Sequence, residues 1–235
     1  MSANISNGVQ NSLPETKATP AQVDQRPSQR RRKIYAVSTT WERQLAEGRS
    51  QPDVHTYFCC CARRIGNMFS LLSYQDGSPM VIAGPCWPFC ALVTVPLILG
   101  VSGTVCYFLI VDNSYSSLPQ WLLYLYIPAV LFVLLSLFCV SCRDPGLMER
   151  VTDEEAGEGG WFWNEQVGSF RPPGALYCRE CGVLIQDYDH LCPWTGTSIG
   201  KKNMWAFKTF VISVNMLCYL SIAILVWALL DGLVS

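Results

Sequence analysis

LPQWLLYLYIPAVLFVLLSLFCV, residues 118–140, decides the fold. Fourteen of these side chains are Leu, Ile, Val or Phe, and none is charged. On an insertion scale they contribute roughly −4 to −8 kcal/mol toward a transmembrane position. The uncharged run that contains them, 113–142, exceeds the ~20 residues that a helix needs to cross a bilayer. Two further runs, 77–111 and 209–230, are equally free of charge. A soluble protein rarely buries three such helices in 235 residues, so the composition indicates a membrane protein.

The expected fold is an all-α polytopic membrane protein. Three transmembrane helices are expected, at 87–111, 118–141 and 209–230. Gly84, Pro85 and Pro88 make the entry to the first irregular, while Pro96 and Gly100 inside it are tolerated in a membrane helix. A small irregular, cysteine-rich loop domain, 142–207, is expected between the second and third helices. Residues 1–50 are rich in Ser, Gln, Pro and basic side chains and read as a disordered tail. Residues 51–86 form a juxtamembrane segment. The first forty residues are polar and show no cleavable-leader pattern.

Charge placement orients the chain. Ten of the 17 Lys and Arg residues precede the first span, and the other seven fall between 143 and 208. The loop 112–117 has none. By the positive-inside rule, the N-terminus and the 142–207 domain are cytosolic. Compartment then bears on the 12 cysteines. Those in or beside the spans (Cys86, Cys90, Cys106, Cys139, Cys142 and Cys218) act as small apolar residues. Those on the reducing side are expected to be free, metal-bound, acylated or catalytic. Cys59, Cys60 and Cys61, followed by Arg63 and Arg64, fit juxtamembrane acylation better than one tetrahedral metal. The basic run 30–33 suits either anionic lipid or plain solvation.

Within the loop domain, His190-Leu191-Cys192-Pro193 places an imidazole and a thiol two residues apart, in a chain with two histidines. Pro193 biases Cys192 toward an extended conformation. Residues i and i+2 of an extended strand share a side. A thiol beside a base is the minimum for covalent acyl transfer.

The wider stretch carries more. Arg171-Pro172-Pro173, Cys178-x-x-Cys181 and Asp189-His190-Leu191-Cys192-Pro193-Trp194 are followed by Gly196, Gly200, Asn203 and Phe207. With Asp144-Pro145-Gly146 after the second span, this resembles the DHHC-type protein S-acyltransferases, integral-membrane palmitoyltransferases, across roughly residues 80–230. The resemblance implies a two-step reaction in which an acyl chain moves from acyl-CoA to the signature cysteine and then to a cysteine of a substrate protein. By position, Cys192 is the nucleophile, His190 the general base and Asp189 the carboxylate behind it. In a strict strand Asp189 points away from His190, so either a turn brings it round or Asp187 takes the part. Lys201, Lys202 and Arg171 are candidate partners for the phosphates of CoA. The two lysines fit positive-inside anchoring equally well. Trp194 is a candidate to lean on the acyl chain from the membrane interface.

The signature departs from the family at its second histidine, which is Leu191 here. The family braces this domain with two zinc sites of three cysteines and one histidine. By position the first would use Asn164, Val167, Tyr177 and Leu184, and the second Cys178, Cys181, Leu191 and Ser198. Few of these are zinc ligands. No metal is therefore assigned, and packing by Phe170, Tyr177, Leu184, Ile185 and Tyr188 is expected instead. The family's fourth span and following Thr-Thr-x-Glu motif are not in this sequence. A rival reading joins Cys178, Cys181, His190 and Cys192 in one structural zinc site of a non-catalytic membrane adaptor. The preferred reading is a palmitoyltransferase of the endomembrane system (ER or Golgi) or plasma membrane. Its partners would be acyl-CoA, the bilayer and substrate proteins with acceptor cysteines, and no nucleic acid.

Overall fold

The structure is a computed structural model and describes residues 33–38, 62–112, 118–151 and 160–234. The cysteines at 59–61 and the acidic linker at 153–158 lie outside the described residues. Three helices are long and apolar enough to cross a membrane. They are α1 (Trp87–Val111), α2 (Leu122–Cys142) and α3 (Met204–Val234). At 1.5 Å per residue the 21 residues of α2 reach about 30 Å, the thickness of a hydrocarbon core. In α1 the chain widens into π-type turns at Cys90–Thr94 and Val105–Val111. The first is followed two residues on by Pro96, whose missing N–H interrupts the regular ladder.

α2 and α3 are antiparallel and pack most closely. Tyr126 Oη and Ser221 Oγ lie 2.8 Å apart, and Ser136 and Ser213 bridge at 2.9 Å. Between lipid-facing helices such bonds average about 0.6 kcal/mol each. Around them a helix core forms from Ile110, Leu122, Tyr126, Val133, Val140 and Ile224.

The all-α expectation needs correction, because nine short strands occur among the described residues. Three of them lie in the juxtamembrane segment: β1 (Arg63–Ile65), β2 (Met68–Ser73) and β3 (Pro79–Ala83), an antiparallel sheet in that order. Gly66-Asn67 closes the first hairpin, with Ile65 opposite Met68 and Gly66 at φ 59°. Two-residue turns with positive φ match the twist of paired strands. The second turn is held by Asp76, whose Oδ1 accepts from Ser78 N at 3.0 Å.

The other six strands form three hairpins between α2 and α3. These are β4 (Phe162–Asn164) with β5 (Ser169–Arg171), β6 (Leu176–Cys178) with β7 (Val183–Ile185), and β8 (His190–Cys192) with β9 (Thr197–Ile199). Each has a four-residue loop ending in a left-handed glycine, namely Gly168, Gly182 and Gly196. The glycines are fourteen residues apart, so the domain is a threefold repeat of one hairpin. Its second core gathers Ile65, Met68, Ile82, Cys178, Cys181 and Ile185.

The tail reading also gives way at residues 33–38. Tyr35 and Val37 bridge to Glu149 and Val183, and Ala36 is fully buried. Lys33 pairs with Glu149 at 3.0 Å, and that bond raises its pKa. This short apolar segment adds to the edge of β7, where its backbone groups find partners.

Candidate functional site

The β8–β9 hairpin organises the site. Its register sets His190 opposite Ile199, Leu191 opposite Ser198, and Cys192 opposite Thr197. Residues opposite each other in an antiparallel pair share a face, and successive residues alternate. One face therefore carries His190, Cys192, Thr197 and Ile199, and the other Leu191 and Ser198. Cys192 and Ile199 belong to the helix core, whereas Leu191 packs on the second core. The hairpin is a partition with the thiol on the side of the helix core.

Backbone contact seats it there. Gly196, at φ 76°, leaves room for only a hydrogen: a Cβ would sit 3.0 Å from Cys90 Cβ and from Trp87 Cα. Gly84 meets Thr197 in the same way, its Cβ position only 2.6 Å from Thr197 Cα. Cys86 N donates to Gly196 O at 3.2 Å. At the other end Asn203, fully buried just before α3, ties down the preceding loop: its Oδ1 accepts from Gly200 N and its Nδ2 donates to Ser198 O, both at 2.9 Å.

His190 Nδ1 stands 3.4 Å from Asp189 Oδ2, and its ring lies edge-on to Phe207 at 5.2 Å. Asp187 takes a left-handed turn at φ 46° and pairs with Lys201 at 3.5 Å. Of the two acids left open by strand geometry, Asp189 is the one at the imidazole. Cys192 is 7% exposed, so a reactant must reach it through the apolar side. Its sulfur has no side-chain hydrogen bond among the described residues. Such bonds are often loose before a substrate is present.

The proposed phosphate partners already have partners. Lys202 Nζ lies 2.7 Å from Asp144 Oδ2, and Arg171 donates to Ala175 O while stacking over Phe162. Trp194, half-exposed, meets Phe89 edge-on at 5.2 Å. Beside the hairpin loop, α1, α2 and the sheet border an open apolar cavity of about 930 Å³. Cys90, Val95, Leu137 and Phe138 line it, with Thr195 and Gly196 at its border.

The zinc positions do not fit a metal. At the second set, Ser198 Oγ lies 3.3 Å from Cys178 Sγ and 2.9 Å from Cys181 Sγ, and the fourth position is Leu191. Hydrogen bonding from Cys181 pulls the Cys178 thiol down to about 6, and the same bond with burial pushes Cys181 up. At the first set Val167 and Leu184 are buried with Ala36, and Tyr177 packs on them. Asn164 instead caps its own turn, accepting from Gln166 N at 3.0 Å. The rival set also fails to converge, because His190 and Cys192 occupy the face opposite the one beside Cys178 and Cys181. No metal-holding group of His, Cys, Asp and Glu occurs among the described residues.

Residues 162–234 match the family model described as DHHC palmitoyltransferase. The likeness rests on this stretch, which is under a third of the chain. The chain is 30% identical over 126 residues to palmitoyltransferase ZDHHC18-B of Danio rerio, covering 39% of this chain and 32% of that one. It is 31% identical over 127 residues to human palmitoyltransferase ZDHHC14, covering 39% and 26%. To mouse palmitoyltransferase ZDHHC8 it is 28% identical over 102 residues, covering 36% and 13%. The aligned parts thus span a third or less of these relatives. The matched stretch begins at β4, so the β1–β3 sheet and the docked 33–38 segment lie outside it.

Sequence reasoning missed that sheet, although Gly66-Asn67 and Asp76-Gly77 are readable turn signals.

Proposed function

We propose that this chain is a protein S-acyltransferase that carries a long acyl chain as a thioester on Cys192. The observation that carries the reading is the shared face of His190 and Cys192 on the helix-core side of the hairpin, with Asp189 behind the imidazole. A free thiol of pKa ≈ 8.5 is only a few per cent ionised at neutral pH, so an adjacent base raises the reactive fraction. His190 takes the Cys192 proton, and Asp189 holds the imidazole tautomer and stabilises the imidazolium. The sulfur attacks the thioester carbonyl of acyl-CoA, the CoA thiolate leaves, and His190 returns a proton to it. A second thiol, from a substrate protein, then attacks the Cys192 thioester by the same path.

The apolar cavity beside Gly196 suits the chain of such a donor, at about 0.8 kcal/mol per buried methylene. Lys201 and Lys202 meet the CoA phosphates by exchanging Asp187 and Asp144 for them, Arg171 adds a third charge, and Trp194 borders the chain. Substrates are proteins with cysteines at the cytosolic membrane face, in the endomembrane system or plasma membrane. Incubation of the purified chain with labelled palmitoyl-CoA tests this. Hydroxylamine-sensitive label should appear on the native chain and vanish in Cys192→Ser. Equal labelling of both would refute the assignment and point to Cys59, Cys60 and Cys61.

A further inference from the structure

Three hydroxyls flank the reactive strand, and two have work within the hairpin. Thr195 Oγ1 donates to Cys192 O at 3.2 Å, and Ser198 Oγ binds the two thiols on the far face. Thr197 is the third. It is fully buried, and its Oγ1 has no hydrogen-bond partner among the described residues. Buried hydroxyls are almost always paired, so an orphan asks for an explanation. Thr197 is also the cross-strand partner of Cys192, on the same face, where opposed Cβ atoms stand ≈ 4.5–5.5 Å apart. Gly84 closes over its backbone, and its β-branched side chain has few rotamers to choose from. The hydroxyl is thus buried and unspent on the strand face that carries the sulfur.

We infer that Thr197 is an oxyanion donor for acyl transfer at Cys192. This rests on the acyltransferase reading and deepens it. When the Cys192 sulfur bonds to the thioester carbonyl carbon, the carbonyl π pair moves to oxygen and leaves an oxyanion. The Thr197 hydroxyl donates its hydrogen bond to that oxygen without transferring the proton. Collapse re-forms the carbonyl and expels the CoA thiolate, which is protonated by His190. The geometry serves both half-reactions, because the carbonyl that the second thiol attacks is the one already on Cys192. A donor prealigned in a water-poor site needs no reorganisation as the charge develops, which is where such groups act most strongly.

The test uses the full chain in detergent with labelled palmitoyl-CoA. It follows single-turnover labelling of Cys192 in the native chain, Thr197→Val and Thr197→Ser. Valine keeps the shape and removes the donor, and serine keeps the donor. Loss of one oxyanion donor lowers kcat by about 10²-fold in comparable sites. Thr197→Val should fall by about that factor with KM unchanged, while Thr197→Ser stays within a few-fold of native. Because the hydroxyl bonds to nothing in the resting protein, Thr197→Val should melt no lower than native. The inference is overturned if Thr197→Val labels at the native rate, if Thr197→Ser is as slow as valine, or if the rate falls only in step with melting temperature. A native chain with no label at Cys192 overturns the acyltransferase reading and this inference together.

Discussion

Asp144, just past the end of α2, ties the turn that follows that helix to the residues that precede α3. Its Oδ1 accepts from Gly146 N and Leu147 N, both at 2.8 Å, while Oδ2 meets Lys202 Nζ at 2.7 Å. The two roles differ in strength. Hydrogen bonds to a charged acceptor are worth about 1.5–3 kcal/mol each, but amides released near the surface recover part of that from water. Asp144→Ala should therefore cost about 3 kcal/mol. The ion pair is weaker, because the Lys202 side chain is 51% exposed. Screening leaves such a pair roughly 0–1 kcal/mol, which is all that Lys202→Met should remove. Asp144→Asn keeps the Oδ1 acceptor, uncharged and about half as strong, so it should fall between them at about 1–2 kcal/mol. For a chain of this size 1 kcal/mol moves the melting point by ≈ 2–4 °C. Thermal unfolding in detergent, followed by tryptophan fluorescence, should rank the variants in that order. If Lys202→Met melts as low as Asp144→Ala, the ion pair and not the turn holds the junction, and the reasoning is wrong.

Three other outcomes follow from the geometry. Asp189→Asn removes the charge at His190 Nδ1 and should slow Cys192 acylation at least tenfold in a single-turnover assay, with melting unchanged because both side chains are exposed. Gly196→Ala combines a left-handed backbone with a Cβ 3.0 Å from Cys90 Cβ. The backbone alone costs about 1–2 kcal/mol, so a clear drop in melting temperature is expected, and a neutral result would show that the hairpin is not seated on α1. Atomic absorption on the purified chain should find well under one zinc per chain, and the double variant Leu191→His, Ser198→Cys should raise it, since both positions lie beside Cys178 and Cys181. A stoichiometric zinc in the native chain would contradict the packing described here.

The helices were legible because a bilayer demands so much of composition: an uncharged run such as 118–140 has few other uses. The shared side of His190 and Cys192 was legible for an equally simple reason, the two-residue period of a strand. The β1–β3 sheet was harder, since strands of three to six residues carry little periodicity, and the neighbouring cysteines drew attention to lipid attachment instead. Residues 33–38 were out of reach of any local rule. Val37 pairs with Val183, far along the chain, and nothing near Val37 announces it. Asp189 was undecidable from alternation alone, because the turn at Asp187 breaks it. The replacement of the first zinc set by packing was legible only as missing ligands; that Val167, Leu184 and Ala36 fill the space needed coordinates.

The seat of the third hairpin on α1 has a mechanical consequence. Where Gly84 and Gly196 press backbone against backbone, no side chain remains to absorb a displacement. A change in the tilt of α1, such as a thinner or thicker bilayer imposes, is therefore handed on to the loop beside Cys192 undamped.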